Sequence, residues 1–220
     1  MPLQIVWFCS TANSPKGDSP EDLDAYRFLT SLKGRKIQGS AFVPVEGERR
    51  QLDNSNLDDA IDWFGEMVGA YLRRHSIRPP LGLVPIPDPG ITLESSTGPW
   101  TSLLCMSIAA KLEGDVETFD LLRWKKSSPQ GGLNMAKQEP SKLFSNLSLI
   151  RKVEWNKPAV LVGYLTTGAG VVQACAARLR GQGALVVQTV FAGRIVKQSS
   201  QNPFGPMKTE IPDFHPTIPT

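Results

Sequence analysis

The chain has 220 residues, with 24 Lys and Arg against 21 Asp and Glu, a formal charge of +3. At 40% hydrophobic and 20% charged residues it suits an ordinary folded domain with enough chain to bury a core, and excludes a disordered polymer. The balance is too mild to imply a nucleic-acid partner by itself, and 19 Gly with 18 Pro predict many loops.

Leu3 to Phe8 is a run of β-formers and predicts a strand. It is too short for a membrane span and lacks the basic flank of a secretory signal. Ser19, Pro20, Glu21 and Asp22 predict a helix start, with Ser19 as N-cap. Leu23, Tyr26 and Leu29 give that helix an apolar stripe, and Gly34 stops it. Ile37 to Val45 predicts a strand interrupted by Gly39 and Pro44, and Arg49 and Arg50 read as loop. Asn56 is a candidate cap for a second helix running to about His75, with Leu57, Ile61, Phe64, Val68, Tyr71 and Leu72 on its apolar face. Arg73, Arg74 and Arg78 suit the negative end of that helix.

Leu81 to Pro87 predicts a short buried strand leading into the turn Asp88-Pro89-Gly90. Trp100 to Leu112 predicts a helix and Phe119 to Trp124 a strand. Lys125 to Ser141 is polar and rich in Gly and Pro, and predicts a mobile loop. Ala159 to Val162 predicts a strand, Thr166-Thr167-Gly168-Ala169-Gly170 a turn, Val171 to Leu179 a helix and Ala184 to Ala192 another strand. That succession is a βαβ unit and implies a parallel strand pair. Gln198 to Thr220 carries five prolines and predicts an extended tail packed across the body.

Cys9, Cys105 and Cys175 are widely spaced, with no CxxC pair, which excludes a zinc ribbon or a disulfide framework. They read as buried thiols of a cytoplasmic protein. With only His75 and His215 present, a multi-histidine metal site is excluded. The turn Thr166–Gly170 combines backbone N–H groups, two hydroxyls and a helix N-terminus, the components of a phosphate cradle. It matches neither the GxxxxGK[ST] nor the GxGxxG spacing.

The longer string KPAVLVGYLTTGAGVVQACAARLRGQGALVVQTVFAGR resembles the phosphoribosyl-diphosphate signature of type I phosphoribosyltransferases. In that family an apolar strand ends in two acidic residues, followed by two apolar residues and a Thr-Thr-Gly-like phosphate loop. Tyr164 and Leu165 match the apolar pair, and Thr166, Thr167, Gly168 and Ala169 the loop. Val162 and Gly163 stand where the acidic pair belongs, and a one-residue shift restores no carboxylate. LVPIPDPG is similar to the family's diphosphate loop, here Pro87, Asp88, Pro89 and Gly90. The run around Pro129-Gln130 is similar to the flexible loop of the competence-protein-F-like branch, with Lys125, Lys126, Gln130 and Lys137 as its candidate anion-binding residues.

The resemblance implies an α/β fold with a mainly parallel sheet flanked by helices. It implies an N-terminal accessory or hood region over 1–80, a core over 81–197 and a Pro-rich extended tail over 198–220. It also implies a phosphate ligand, on a 5′-phosphorylated nucleotide or a sugar phosphate. The missing acidic pair points to a binding or regulatory role with catalysis lost, and to no magnesium unless the protein is active. In the active alternative, Asp88 or Glu94 substitutes as acid or metal ligand. In a third reading Arg73, Arg74, Arg78, Lys125, Lys126, Arg151 and Lys152 form a basic face for single-stranded nucleic acid, with Trp124 stacking a base. A protein partner or a homodimer stays open, and no membrane partner is expected.

Overall fold

The computed structural model describes residues 2–12, 19–127, 139–166, 168–197 and 202–216, and of Thr166 the backbone alone. The apolar opening run forms β1, Leu3–Ala12, which extends past Phe8. Ser19 caps α1, Pro20–Leu32, accepting the Asp22 N–H at 3.3 Å, with Pro20 in the first turn. The expected strand over 37–45 shortens to β2, Ala41–Val45. Arg49 and Arg50, expected in a loop, instead lie in β3, Glu48–Leu52, which pairs antiparallel with β2.

Helix α2, Asp59–Arg74, starts after Asp58, not Asn56. The Asn56 side chain is spent on the preceding turn, accepting the Asp53 N–H at 2.8 Å. Trp63, Phe64, Val68, Tyr71 and Leu72 line its buried face, and each such side chain contributes about 1.5–3 kcal/mol of gross burial energy. β4, Leu81–Pro85, stops two residues short of Pro87, and α3 spans Thr101–Ala110. The expected strand over 119–124 shortens to β6, Leu122–Trp124, and an unexpected strand, β5, Val116–Thr118, precedes it. Helix α4, Pro140–Asn146, and β7, Leu147–Leu149, follow, β7 pairing antiparallel with β6. β8, Ala159–Thr166, α5, Gly170–Arg180, and β9, Val186–Val196, form the expected parallel βαβ unit. β10, Phe204–Ile211, comes from the tail.

The central sheet has six strands in the order β10-β1-β9-β8-β4-β5. All neighbours run parallel except β10, which lies antiparallel along β1. The fold is therefore α/β, with a mainly parallel sheet flanked by helices on both faces. One core packs α1, α2 and α3 against the first face, and a second packs α4 and α5 against the other. Both faces of β1 are covered, which is why it reads as a continuous apolar run and not an alternating one. The sheet draws strands from 1–80, from the middle of the chain and from its tail.

At the amino ends of the sheet, Lys157 places its ammonium 2.9 Å from both Asp115 carboxylate oxygens and 3.4 Å from Glu117. These carboxylates raise the Lys157 pKa above its ordinary value. Cys9, Cys105 and Cys175 are all buried free thiols, and burial pushes each one up. No helix among the described residues is long and apolar enough to cross a membrane.

Candidate functional site

From β4 the chain crosses through α3 to β5 on one side, whereas from β8 it crosses through α5 to β9 on the other. The two connections leave neighbouring strands in opposite directions. Ligands of open parallel sheets bind at such a reversal, outside the carboxyl ends of the strands. The segments that emerge there are 86–90 after β4 and 166–170 after β8. The sequence singled out both on separate grounds.

Hydrogen bonds hold the loop after β4 at Ile86, Pro87 and Asp88. Ile86 donates its N–H to the Val162 carbonyl at 2.8 Å, and its own carbonyl accepts the Thr101 hydroxyl at 2.8 Å. Pro87 carbonyl accepts Trp124 Nε1 at 3.3 Å, and the Asp88 carboxylate accepts the Trp100 N–H at 3.2 Å. Pro87 is buried, Asp88 and Pro89 are half-buried, and Gly90 is exposed. Burial raises the Asp88 pKa, and the Lys33 charge and the Trp100 N–H offset it only in part. Asp88 is thus a carboxyl group beside the crevice whose pKa burial raises from its ordinary value.

The end of β8 carries no carboxylate at 162 or 163 and leaves no room for a side chain at 163. Val162 is fully buried. At Gly163, a Cβ would lie 2.2 Å from Phe191 Cε1 and 2.5 Å from Cδ1. The Phe191 ring, itself 3% exposed, occupies the space that any side chain at 163 needs. Tyr164 points to the α1 side, where its hydroxyl donates to the Leu29 carbonyl at 2.5 Å. Trp100 meets the Tyr164 ring edge-on with centroids 5.4 Å apart, and Lys33 Nζ stands 4.4 Å from the ring centroid. Burial pushes the Tyr164 phenol well above its ordinary range, so it remains a neutral donor.

Gly168 and Ala169 are half-buried, and Gly170 opens α5. Ala169 is the N-cap residue and offers no capping side chain, and the first turn contains no acidic residue. The first N–H groups of a helix have no intrahelical partner, and their dipole favours an anion. Thr167, Gln130 and Lys137 lie outside the described residues, as does the Thr166 side chain.

Lys125 and Lys126 are exposed, but their backbone is anchored rather than free. Lys125 N–H donates to the Asn146 carbonyl at 2.7 Å, and Asn146 closes a two-bond clamp on Lys126 at 3.0 Å each way. The far end of the expected 125–141 loop is also ordered, because Pro140 and Ser141 begin α4. Trp124 is fully buried and offers no face to a base. Arg78 precedes β4 at its amino end, whereas Lys125 follows Trp124, whose indole bonds the loop at the carboxyl end of the same strand. The candidate cations of a basic face are thus split between the two ends of the sheet. Arg74 pairs with Glu46 at 3.2 Å, and Arg73 donates to the Lys111 carbonyl at 2.7 Å.

Among the described residues no three His, Cys, Asp or Glu side chains converge into a metal-holding group. Glu94 is exposed. Asp88, in the 86–90 loop, already accepts an N–H and faces a lysine charge. Magnesium takes hard oxygen ligands in near-octahedral geometry, and this residue set does not fit a resident ion.

Lys33, Arg35, Tyr26 and Trp100 were not among the expected site residues. Tyr26, expected in the apolar stripe of α1, is instead exposed, because the buried face runs through Ala25, Phe28, Leu29 and Leu32. Tyr26, Lys33, Arg35 and Tyr164 line a cavity of about 300 Å³ at the carboxyl ends of β1, β8 and β9. The pair Lys33 and Arg35 around the helix stop Gly34 was the available signal.

No protein-family model matches the chain, and no curated protein sequence matches it significantly. Among solved structures, the chain is similar to a hypoxanthine phosphoribosyltransferase from Staphylococcus aureus. The identity is 9% and the TM-score 0.38, over 61% of this chain and 72% of that one.

Proposed function

We propose that this protein binds a 5′-phosphorylated nucleotide or a sugar phosphate in a binding or regulatory role, with ribose transfer lost. The observation that carries the reading is the reversal of connectivity between β4 and β8. It brings the 86–90 loop and the start of α5, where Ala169 offers no capping side chain, to adjacent strand ends, where α/β sheets hold ligands. The phosphate would sit on the N–H groups that open α5, aided by the hydroxyls of Thr166 and Thr167. Loss of transfer is supported by Val162 and Gly163. Neither has a side-chain oxygen, and Phe191 fills the space beside Gly163, so the ribose hydroxyls and a magnesium-bound diphosphate lack their acidic partners. A second reading, an active transferase, is favoured by Asp88 alone, through its raised pKa beside the crevice.

Calorimetric titration with phosphoribosyl diphosphate, ribose 5-phosphate and nucleoside monophosphates, with and without magnesium, tests the proposal. Magnesium-independent binding of simple 5′-phosphates that weakens about tenfold in Thr167→Ala is expected, equivalent to about 1.4 kcal/mol. Diphosphate release that requires magnesium and is lost in Asp88→Asn would establish the second reading. Absence of binding by every phosphate would refute both.

A further inference from the structure

The cavity beneath α1 is separate from the start of α5 and has a different character. Thr11 and Ile195, at the carboxyl ends of β1 and β9, lie at its base with Tyr164, and Tyr26 forms part of its α1 wall. Lys33 and Arg35 stand at its rim, both exposed. Tyr26 is 42% exposed, a large ring left open to solvent beside two cations. Among the described residues, neither Lys33 nor Arg35 lies within ion-pair distance of a carboxylate, whereas Arg27, Arg50, Lys111, Lys157 and Arg180 each do. A concave site of about 300 Å³ with an aromatic and aliphatic lining and two cations at one rim is built for an amphipathic anion.

The charge of that anion is limited by the helix above it. Lys33 is the C-cap of α1, so the rim lies at the negative end of the α1 dipole. That end opposes an anion, and Lys33 also faces the Asp88 charge, so what remains of the two positive charges matches a single negative one. The opposite polarity holds at the start of α5, where an anion meets a helix N-terminus. The two places on the same edge of the sheet therefore sort ligands by charge and by body.

We infer that the cavity formed by Thr11, Tyr26, Lys33, Arg35, Tyr164 and Ile195 is a binding site for a small aromatic monocarboxylate. Its carboxylate sits between Lys33 and Arg35, and its ring packs on Tyr26 and Ile195. Arg35 supplies a planar fork for the carboxylate oxygens, and Lys33 a point charge that already stands over the Tyr164 ring. The site does not rest on the phosphate reading: none of its six residues belongs to the 86–90 or 166–170 segments, although Lys33 also faces the Asp88 charge.

Benzoate is the probe, followed by ligand-observed NMR and calorimetry on the full chain. Benzyl alcohol serves as the neutral control and phenyl phosphate as the doubly charged one. Binding of benzoate is expected to weaken at least about tenfold in Lys33→Gln/Arg35→Gln, two exposed positions whose replacement leaves the core intact. Tyr26→Ala is expected to weaken it as well, whereas Thr167→Ala leaves it unchanged. Benzyl alcohol and phenyl phosphate are expected to bind at least about tenfold more weakly than benzoate. Failure of wild type to bind benzoate overturns the assignment. So does equal binding by the double variant, or a preference for phenyl phosphate. If phosphates fail to bind while benzoate binding follows this pattern, the phosphate reading falls and this site stands.

Discussion

The contact between Gly163 and Phe191 yields the sharpest quantitative test. A Cβ at 163 would sit 2.2, 2.5 and 2.9 Å from three carbons of the Phe191 ring. The ring is buried at 3% exposure, so it cannot swing into solvent to make room. Overpacking of this kind costs about 1–3 kcal/mol, and contacts this short belong at the upper end. Replacing a strand glycine by alanine returns about 0.5–1 kcal/mol of backbone entropy. Gly163→Ala should therefore destabilise by about 2 kcal/mol net, a fall in Tm of about 4–8 °C for a domain of this size. Gly163→Asp should fall further, because it adds an unpaired buried carboxylate to the same clash. Denaturant and thermal unfolding measure both variants, and combining Gly163→Ala with Phe191→Leu should recover part of the loss through coupling between the two sites. If Gly163→Ala remains within about 0.5 kcal/mol of wild type, the steric requirement for glycine at 163 is wrong.

Three further perturbations address the surroundings of the crevice. The raised Asp88 pKa means that the folded state holds this proton more tightly than the unfolded chain. The stability Asp88 contributes is therefore fully present below its unfolded pKa of about 3.9 and is lost as pH rises through the folded value. Asp88→Asn should raise Tm at pH 7, with a difference that shrinks toward pH 4; a difference that grows with acidity would contradict this. Tyr164→Phe removes the hydroxyl bond to the Leu29 carbonyl and should cost about 1 kcal/mol, read as a lower urea midpoint at unchanged slope. Asn146→Ala removes the side-chain clamp on Lys126 but keeps the backbone carbonyl that holds Lys125. Hydrogen exchange should accelerate at the Lys126 amide and much less at the Lys125 amide.

The elements most legible in the sequence were those whose own residues decide them. Ser19 and Pro20 specify the start of α1 through local capping, and the stripe from Phe64 to Leu72 specifies α2 through its period. β3 escaped because ERRQL has no buried face to impose an alternation, only Leu52 being buried. Its existence is set by the turn before it. Glu46 and Gly47 have φ of 49° and 91°, and the register Val45↔Glu48 leaves only these two residues in the hairpin loop. That is the left-handed geometry that matches strand twist, and Gly47 was its one local trace. At the candidate site, the two strand-end segments were legible as loops, and their adjacency follows from the order of connections. The covering of Gly163 by Phe191 and the approach of Lys33 to Tyr164 were not legible. Each joins residues whose separation in sequence carries no periodic or turn signal.

The position of β1 between β9 and β10 has a consequence for how the molecule is made. Its backbone partners are Thr189 to Val196 on one side and Phe204 to Ile211 on the other. Gln188 even donates its side-chain amide to the Gln4 carbonyl, 184 residues away. During synthesis, therefore, β1 waits until β9 has been made before it can pair. Such long-range closure slows folding and leaves an apolar strand unpaired in the interval. A nascent chain ending before β9 carries Ile5, Val6, Trp7 and Phe8 as an adhesive segment, and sheltering that segment is a task that falls to the cell until β9 and β10 arrive.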